Sequence, residues 1–285
     1  MLNLCMAIHA AALMAWFGAL SLRRVLGAGQ GAGEMRFLQL AGAVALLTGA
    51  LWPWLQAGVL GDDSGAAWNP DQVAVVLTQT TFGRTWLLRE ACIVLAALAS
   101  VAPLMSIGRG VYFLVVASLG SLAFIGHAAS GTGGEGSAVR LALALHLLAA
   151  GAWVGALPAL WVLAGRLAAG ELVKVLRLFS RYGVFLVTVV VATGAINAWS
   201  RTGTWAALVG TDYGQLLLAK VFLVGLMGLA AVANRNLYTP RLAKKDSFIQ
   251  AGGREGLRKS LAIELALGLG VLFLAVMVGA AEAPR

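Results

Sequence analysis

Eight apolar runs of about twenty residues divide this chain, near residues 2–22, 36–60, 85–107, 110–129, 139–163, 182–200, 215–233 and 260–281. Hydrocarbon offers a backbone no hydrogen-bond partner, so only an internally bonded element crosses it, and a crossing helix needs about 20 mainly apolar residues. The runs are continuous rather than alternating, which argues against a transmembrane β-barrel. With 60% hydrophobic and 12% charged residues, the apolar surface exceeds what a soluble globule of this size can cover. The expectation is an all-α polytopic membrane protein with eight transmembrane helices in a single membrane domain, 1–285.

Lys and Arg in the connections orient such a chain, because positive loops stay on the cytoplasmic side. Fifteen of the 21 lie after the first, third, fifth and seventh runs. They are Arg23, Arg24 and Arg36; Arg109; Arg166, Lys174, Arg177 and Arg181; and Arg235, Arg241, Lys244, Lys245, Arg254, Arg258 and Lys259. Arg84, Arg140, Arg201 and Arg285 fall on the other side. Both termini are therefore expected to be periplasmic. The net charge of +9 is then a topology signal with an attraction to anionic lipid, and no nucleic-acid partner is needed to explain it. Trp52, Trp54, Trp68, Trp86, Trp199 and Trp205 fall near the outer ends of runs, as an aromatic belt does. The first run has no basic leader or obvious cleavage site and is expected to be a retained helix. Cys5 and Cys92 both sit inside runs, so no disulfide framework is expected.

Runs 1 and 5 repeat one another. "AIHAAALMAWFGAL" (7–20) over "ALHLLAAGAWVGAL" (144–157) places His9 on His146, Trp16 on Trp153 and Gly18 on Gly155. "TGALWPW" (48–54) matches "TGAINAW" (193–199), and "TTFG" at 80 matches "TDYG" at 211, each followed six residues past its Gly by a cation, Arg89 or Lys220. Two four-helix halves are expected, 1–130 and 131–285. Four is an even number, so the halves share one orientation and a pseudo-twofold along the membrane normal.

Under that symmetry His9 and His146 sit at equal depth in the outer half, and His127, near the outer end of run 4, is an unpaired addition. Imidazole binds copper, zinc, iron and nickel, and sulfur ligands shift preference towards Cu(I). Met1, Cys5 and His9 are spaced i, i+4, i+8 along one stripe, with Met6 beside it. Sulfur outside and histidine within suit copper better than zinc or magnesium. Taken singly, Cys5 and Met6 also read as ordinary apolar packing. Gly18 and Gly155 read as close helix contacts and the two tryptophans as packing between repeats. Arg89, Glu90, Lys220 and Glu264 are the charges left inside runs. Structural pairing is the favoured reading, Arg89 or Lys220 with Glu90 and Glu264 with Arg235, beside snorkelling of the two cations and a proton-coupling role for Glu90 with Lys220. Asn197 is placed to support a liganding histidine.

The chain has no phosphate-binding GxxxxGK[ST] run, GxSxG elbow or HExxH pair, which argues against an ATP-driven pump and a hydrolase. The acidic outer connection 61–84 is expected to be a solvated loop, able to cap the outer mouth or dock a partner.

The ordered set "TTFGRTWLLRE" (80–90), "GHAASG" (126–131), "LHLLAAGAWVGALPAL" (145–160), "TGAINAW" (193–199), "YGQLLLAKVFLV" (213–224), "ANRNLYTPRL" (233–242) and "LRKSLAIELALGLGVL" (257–272) resembles the copper resistance protein D family of bacterial inner membranes. "LFS" stands at 178–180 where that family usually reads "RFS". The resemblance implies an eight-helix protein handling copper, thought to move it from periplasm to cytoplasm, often alongside a small periplasmic copper binder of the CopC type. Such a partner would be a separate protein docking on the outer face. The reading is a copper transporter rather than an enzyme, taking metal at His9, His127 and His146 with Met1, Cys5 and Met6 as an inlet. Met105 and Met227 are the sulfurs placed to continue inward. A b-type haem or copper redox centre on the same histidines, and a copper sensor or scaffold, are the alternatives.

Overall fold

A computed structural model describes residues 1–27, 32–61, 65, 68–101, 108–125 and 133–281, and the described residues are helical throughout apart from turns and caps. Among the described residues, six helices are long and apolar enough to cross a membrane: Leu2–Leu26, Met35–Leu60, Gly136–Arg166, Ala169–Thr202, Asp212–Leu242 and Ser247–Gly279.

The central element is α1 (Leu2–Leu26), which packs against α2 (Ala32–Leu60), α5 (Arg109–Gly120), α6 (Gly133–Val154) and α12 (Ser247–Ala280). Leu13 and Trp16 are fully buried, and Phe17, Leu20 and Leu22 nearly so. A helix surrounded on all sides must be apolar on all sides. Where α1 crosses α6, a Cβ added to Gly18 would fall on the backbone of Gly155, and one added to Gly155 would fall on Met14 O. The crossing is therefore backbone on backbone, at the two glycines that the repeat aligns.

The fifth run, expected to be unbroken, bends at Gly155 and Ala156 and resumes as α7 (Leu157–Arg166). Pro158 has no N–H to donate to Val154 O, which removes one rung of the ladder at this break, although α2 carries Pro53 without one. Two other runs continue past their expected inner ends. α8 spans Ala169–Thr202 and α12 spans Ser247–Ala280, each 34 residues. Hydropathy reads Glu171, Lys174 and Arg177 as loop, yet Leu172, Val173 and Leu176 bury one face of the same turns. Asp246 caps α12 by accepting from Phe248 N and Ile249 N. One side of α12 then staples α7: Arg254 donates to Ala164 O and Leu167 O, and the Arg258 guanidinium lies 4.4 Å from the Trp161 ring centroid.

The connection 61–84 is not simply a solvated loop. It contains α3 (Pro70–Gln79), capped by Asn69, which buries Val73 and Val76 against Ala57 of α2. Thr80 then turns the chain into α4 (Thr81–Val101): its hydroxyl donates to Val76 O and accepts from Gly83 N, and a Cβ on Gly83 would strike Leu77 O. The same corner recurs between α9 (Trp205–Gly210) and α10 (Asp212–Ala233). There Thr211 donates to Ala207 O and accepts from Gly214 N, and a Cβ on Gly214 would strike Leu208 O. The repeated Thr-x-aromatic-Gly is thus a helix corner. Beside each corner stands a tryptophan pair, Trp54 with Trp68 (centroids 6.3 Å apart) and Trp199 with Trp205 (6.0 Å).

α4 is 21 residues long but carries Arg84, Arg89 and Glu90, while α5 is followed only by the 3-10 turn Ser121–Phe124. Beyond α10 the chain opens into a single π turn, Asn234–Tyr238, before α11 (Thr239–Leu242).

Candidate metal centre

The two repeated histidines are held by the same device. His9 Nδ1 lies 3.1 Å from Ala45 O and 3.1 Å from Thr48 Oγ1. His146 Nδ1 lies 3.1 Å from Val190 O and 3.1 Å from Thr193 Oγ1. Each threonine sends its own hydroxyl proton to the carbonyl one turn back, Thr48 to Val44 O at 2.7 Å and Thr193 to Val189 O at 2.5 Å. A carbonyl cannot donate, and each threonine's proton is already committed. Nδ1 must therefore carry the ring proton, and the lone pair is placed on Nε2. Pinning one ring nitrogen through an outer hydrogen bond is how a metal-binding histidine is oriented.

The adjacent glycine of each "TGA" makes room for a second group. A Cβ on Gly194 would approach His146 Cε1 to 3.3 Å, and one on Gly49 would fall on the Glu90 carboxyl. Thr48, Gly49, Thr193 and Gly194 were missed as site residues although the repeat displays them, because a threonine in an apolar run reads as filler.

His9 is fully buried, its ring edge-on to Trp52 with centroids 5.4 Å apart, and Nε2 has no partner among the described residues. A buried lone pair without a donor is costly, and a d-block cation is the kind of group that satisfies it. Cys5 joins this side of α1 by donating its thiol to Thr48 O at 3.3 Å. Met1, at the start of the stripe, is 98% exposed.

On another face of α1, Met6 and Met14 line a cavity of about 310 Å3 together with His146, Asn197, Lys220 and Trp52. Met6 and His146 thus line one cavity, Cys5 and His9 share Thr48, and Trp52 touches His9 and lines the cavity. It does not gather three His, Cys, Asp or Glu side chains into one cluster among the described residues. His127 and Met105 lie outside the described residues. Met227 is buried in α10.

The charged candidates sit as follows. Arg89 is fully buried, its guanidinium 4.7 Å from the Trp52 ring centroid and its Nε 3.9 Å from Glu90 Oε1. It is enclosed rather than snorkelled, and its three nitrogens have no hydrogen-bond partner among the described residues. Glu90 therefore stands with Arg89, and Lys220 stands on the cavity with His146. Asn197 donates to Thr193 O at 2.9 Å and meets the imidazole only through that residue. Glu264 accepts from Asn234 Nδ2 at 2.5 Å, in place of the expected pairing with Arg235. The π turn explains the exchange, since one extra residue per turn rotates the side chains around it.

Two family profiles match the chain: the N-terminal domain of copper resistance protein D-like proteins over residues 1–138, and copper resistance protein D over residues 173–278. Inner membrane protein YebZ of Escherichia coli (strain K12) is 34% identical over 243 residues, covering 81% of this chain and 79% of that protein. Copper resistance protein D of Pseudomonas syringae pv. tomato is 32% identical over 219 residues, 72% of this chain and 70% of that one. Copper transport protein CutJ of Bacillus subtilis (strain 168) is 30% identical over 263 residues, 86% of this chain but 46% of the longer relative. No solved structure matches.

Proposed function

This chain belongs to the copper resistance protein D family, and from that premise we propose that it carries copper across the bacterial inner membrane, from periplasm to cytoplasm. Its membrane location and its connection with copper come with the family. The observation that carries the finer reading is the paired pinning of His9 and His146, each Nδ1 fixed on a backbone carbonyl and a threonine. Two imidazoles with fixed tautomers present two Nε2 lone pairs for copper as cargo. Met6 and Cys5 supply softer donors beside them, Met1 receives the metal at the surface, and His127 completes the set.

In this reading the bundle has eight crossings: α1, α2, α4, α5 with its 3-10 turn, α6 with α7, α8, α10 and α12. The two halves share one orientation, with both termini periplasmic. That topology puts the cavity beneath the outer mouth, where α3 and α9 offer a surface to a periplasmic copper carrier of the CopC type. Copper passes through unchanged in this scheme, and the protein is a carrier rather than an enzyme.

The test is copper content after loading, with the visible spectrum, for the wild type beside His9→Ala, His127→Ala and His146→Ala. Stoichiometric copper that falls in each variant supports the shared site. Liposome uptake then gives direction and separates a transporter from a sensor. Copper retention indifferent to all three substitutions, or a Soret band, rejects the reading in favour of a redox centre.

A further inference from the structure

A second cavity, of about 410 Å3, lies at the basic end between α7, α8, α10 and α12. Its space is built in by small residues. Gly183, Gly225 and Gly228 line it, and a Cβ added to any of them would meet no atom within 4 Å. Its lips face the bilayer, for Val184, Leu229 and Val232 line it and are 55%, 67% and 54% exposed. A molecule dissolved in the membrane therefore reaches it sideways, between α8 and α10. Buried Trp153 and Leu157 stand on its inner wall.

The polar residues of the lining are Ser180, Thr188, Asn234, Arg235, Thr239 and Glu264, and Glu264 is the one buried acid among them. Glu264 is 1% exposed and takes a single hydrogen bond from Asn234 on one oxygen, which leaves the other as an acceptor. No ion-pair partner for Glu264 stands among the described residues, and Arg235 lies exposed on the cavity wall. An acceptor at the end of an apolar slot selects a ligand with a hydrogen-bond donor at its tip and apolar surface behind it. A phosphatidylethanolamine head also carries a donor, and Arg235 on the wall is a cation for its phosphate, so this lipid is the rival ligand that the experiment must separate from a hydroquinone. A bare acyl chain would leave the acceptor unmet, at the cost of a desolvated polar group.

We propose that this cavity binds a membrane-dissolved hydroquinone. The ring lies on the glycine wall, one hydroxyl donates to Glu264, and the isoprenoid tail leaves between α8 and α10. The size agrees, since small-molecule sites of about 300 to 1,000 Å3 are typical. The proposal is independent of the copper reading.

The experiment is calorimetric titration of the purified, metal-free full-length protein with decyl-hydroquinone under anaerobic conditions, with short-chain phosphatidylethanolamine as a competitor. One saturable equivalent is expected. Gly228→Leu fills the slot and should weaken binding roughly tenfold or more, and Glu264→Gln should weaken it by a similar factor by removing the charged acceptor. An added Cβ at residue 228 meets nothing within 4 Å, so the leucine variant should melt at or above the wild type, and that measurement distinguishes lost binding from lost folding. Absence of saturable binding overturns the proposal. So does equal binding by Gly228→Leu, or displacement of the hydroquinone by phosphatidylethanolamine at equal concentration.

Discussion

Replacing Gly18 with alanine adds one methyl group where the structure leaves no room. The new Cβ would sit nearer than 3.0 Å to Gly155 C, Ala156 N and Gly155 Cα, a separation that real Cβ atoms essentially never show. All three neighbours are main-chain atoms, which cannot rotate away, so α1 and α6 must part along their whole crossing. Overpacking costs about 1–3 kcal/mol and belongs here at the upper end. Alanine returns about 1 kcal/mol of helix propensity, leaving a net loss of about 2 kcal/mol. At about 2–4 °C per kcal/mol for a chain of this size, the melting temperature should fall by about 4–8 °C. Gly225→Ala is the control, because its added Cβ meets nothing within 4 Å and it should gain about 2–4 °C from propensity alone. Thermal unfolding in detergent, followed by circular dichroism, reads both. A Gly18→Ala protein that melts at or above the wild type refutes the backbone crossing, as does a shift of the same sign in both variants.

Thr48→Val and Thr193→Val each remove one acceptor from a histidine Nδ1–H, and copper affinity should fall about 10- to 100-fold while the melting temperature holds; competition with a calibrated chelator measures it. Arg89→Met leaves Glu90 buried without its cation and should cost about 3–5 kcal/mol, whereas Arg89→Met with Glu90→Gln should recover much of that loss. A double variant no more stable than the single one counts against the pair. Cys5 donates its thiol to Thr48 O, so maleimide labelling of Cys5 should be slow and should slow further with bound copper. Mass spectrometry of the N-terminal peptide follows it.

Much of the bundle was legible because the bilayer imposes one rule on every run. The Gly18 and Gly155 contact and the matched seating of His9 and His146 were visible because a repeat writes the same requirement twice. Hydropathy failed where helices leave the apolar layer. It read residues 169–181 as a connection because it averages Glu171, Lys174 and Arg177 with the buried Leu172 and Leu176, when the alternation between them is the signal. It also treated 61–84 as one loop, although Asn69 followed by Pro70 is a helix start. The histidines' partners were harder to read, since which residues of α2 and α8 meet an imidazole depends on helix rotation. Glu264 shows the same limit: a single π turn decides whether residue 234 or 235 faces it.

The tryptophan pairs carry a consequence for bilayer thickness. Trp54 with Trp68 and Trp199 with Trp205 stand beside the two Thr-x-aromatic-Gly corners, on the end away from the basic connections. In the proposed topology these indoles lie at the headgroup level, where indoles are favoured, and a bundle moored at two such points resists tilting along the line that joins them. In a thinner or thicker membrane, adjustment falls to the opposite end, where α8 and α12 run on as amphipathic helices bearing lysine and arginine. These can slide between water and headgroup at a cost of only fractions of a kcal/mol per Å. In that topology hydrophobic mismatch is taken up at the basic end, and His9 and His146 keep a constant depth beneath the tryptophans.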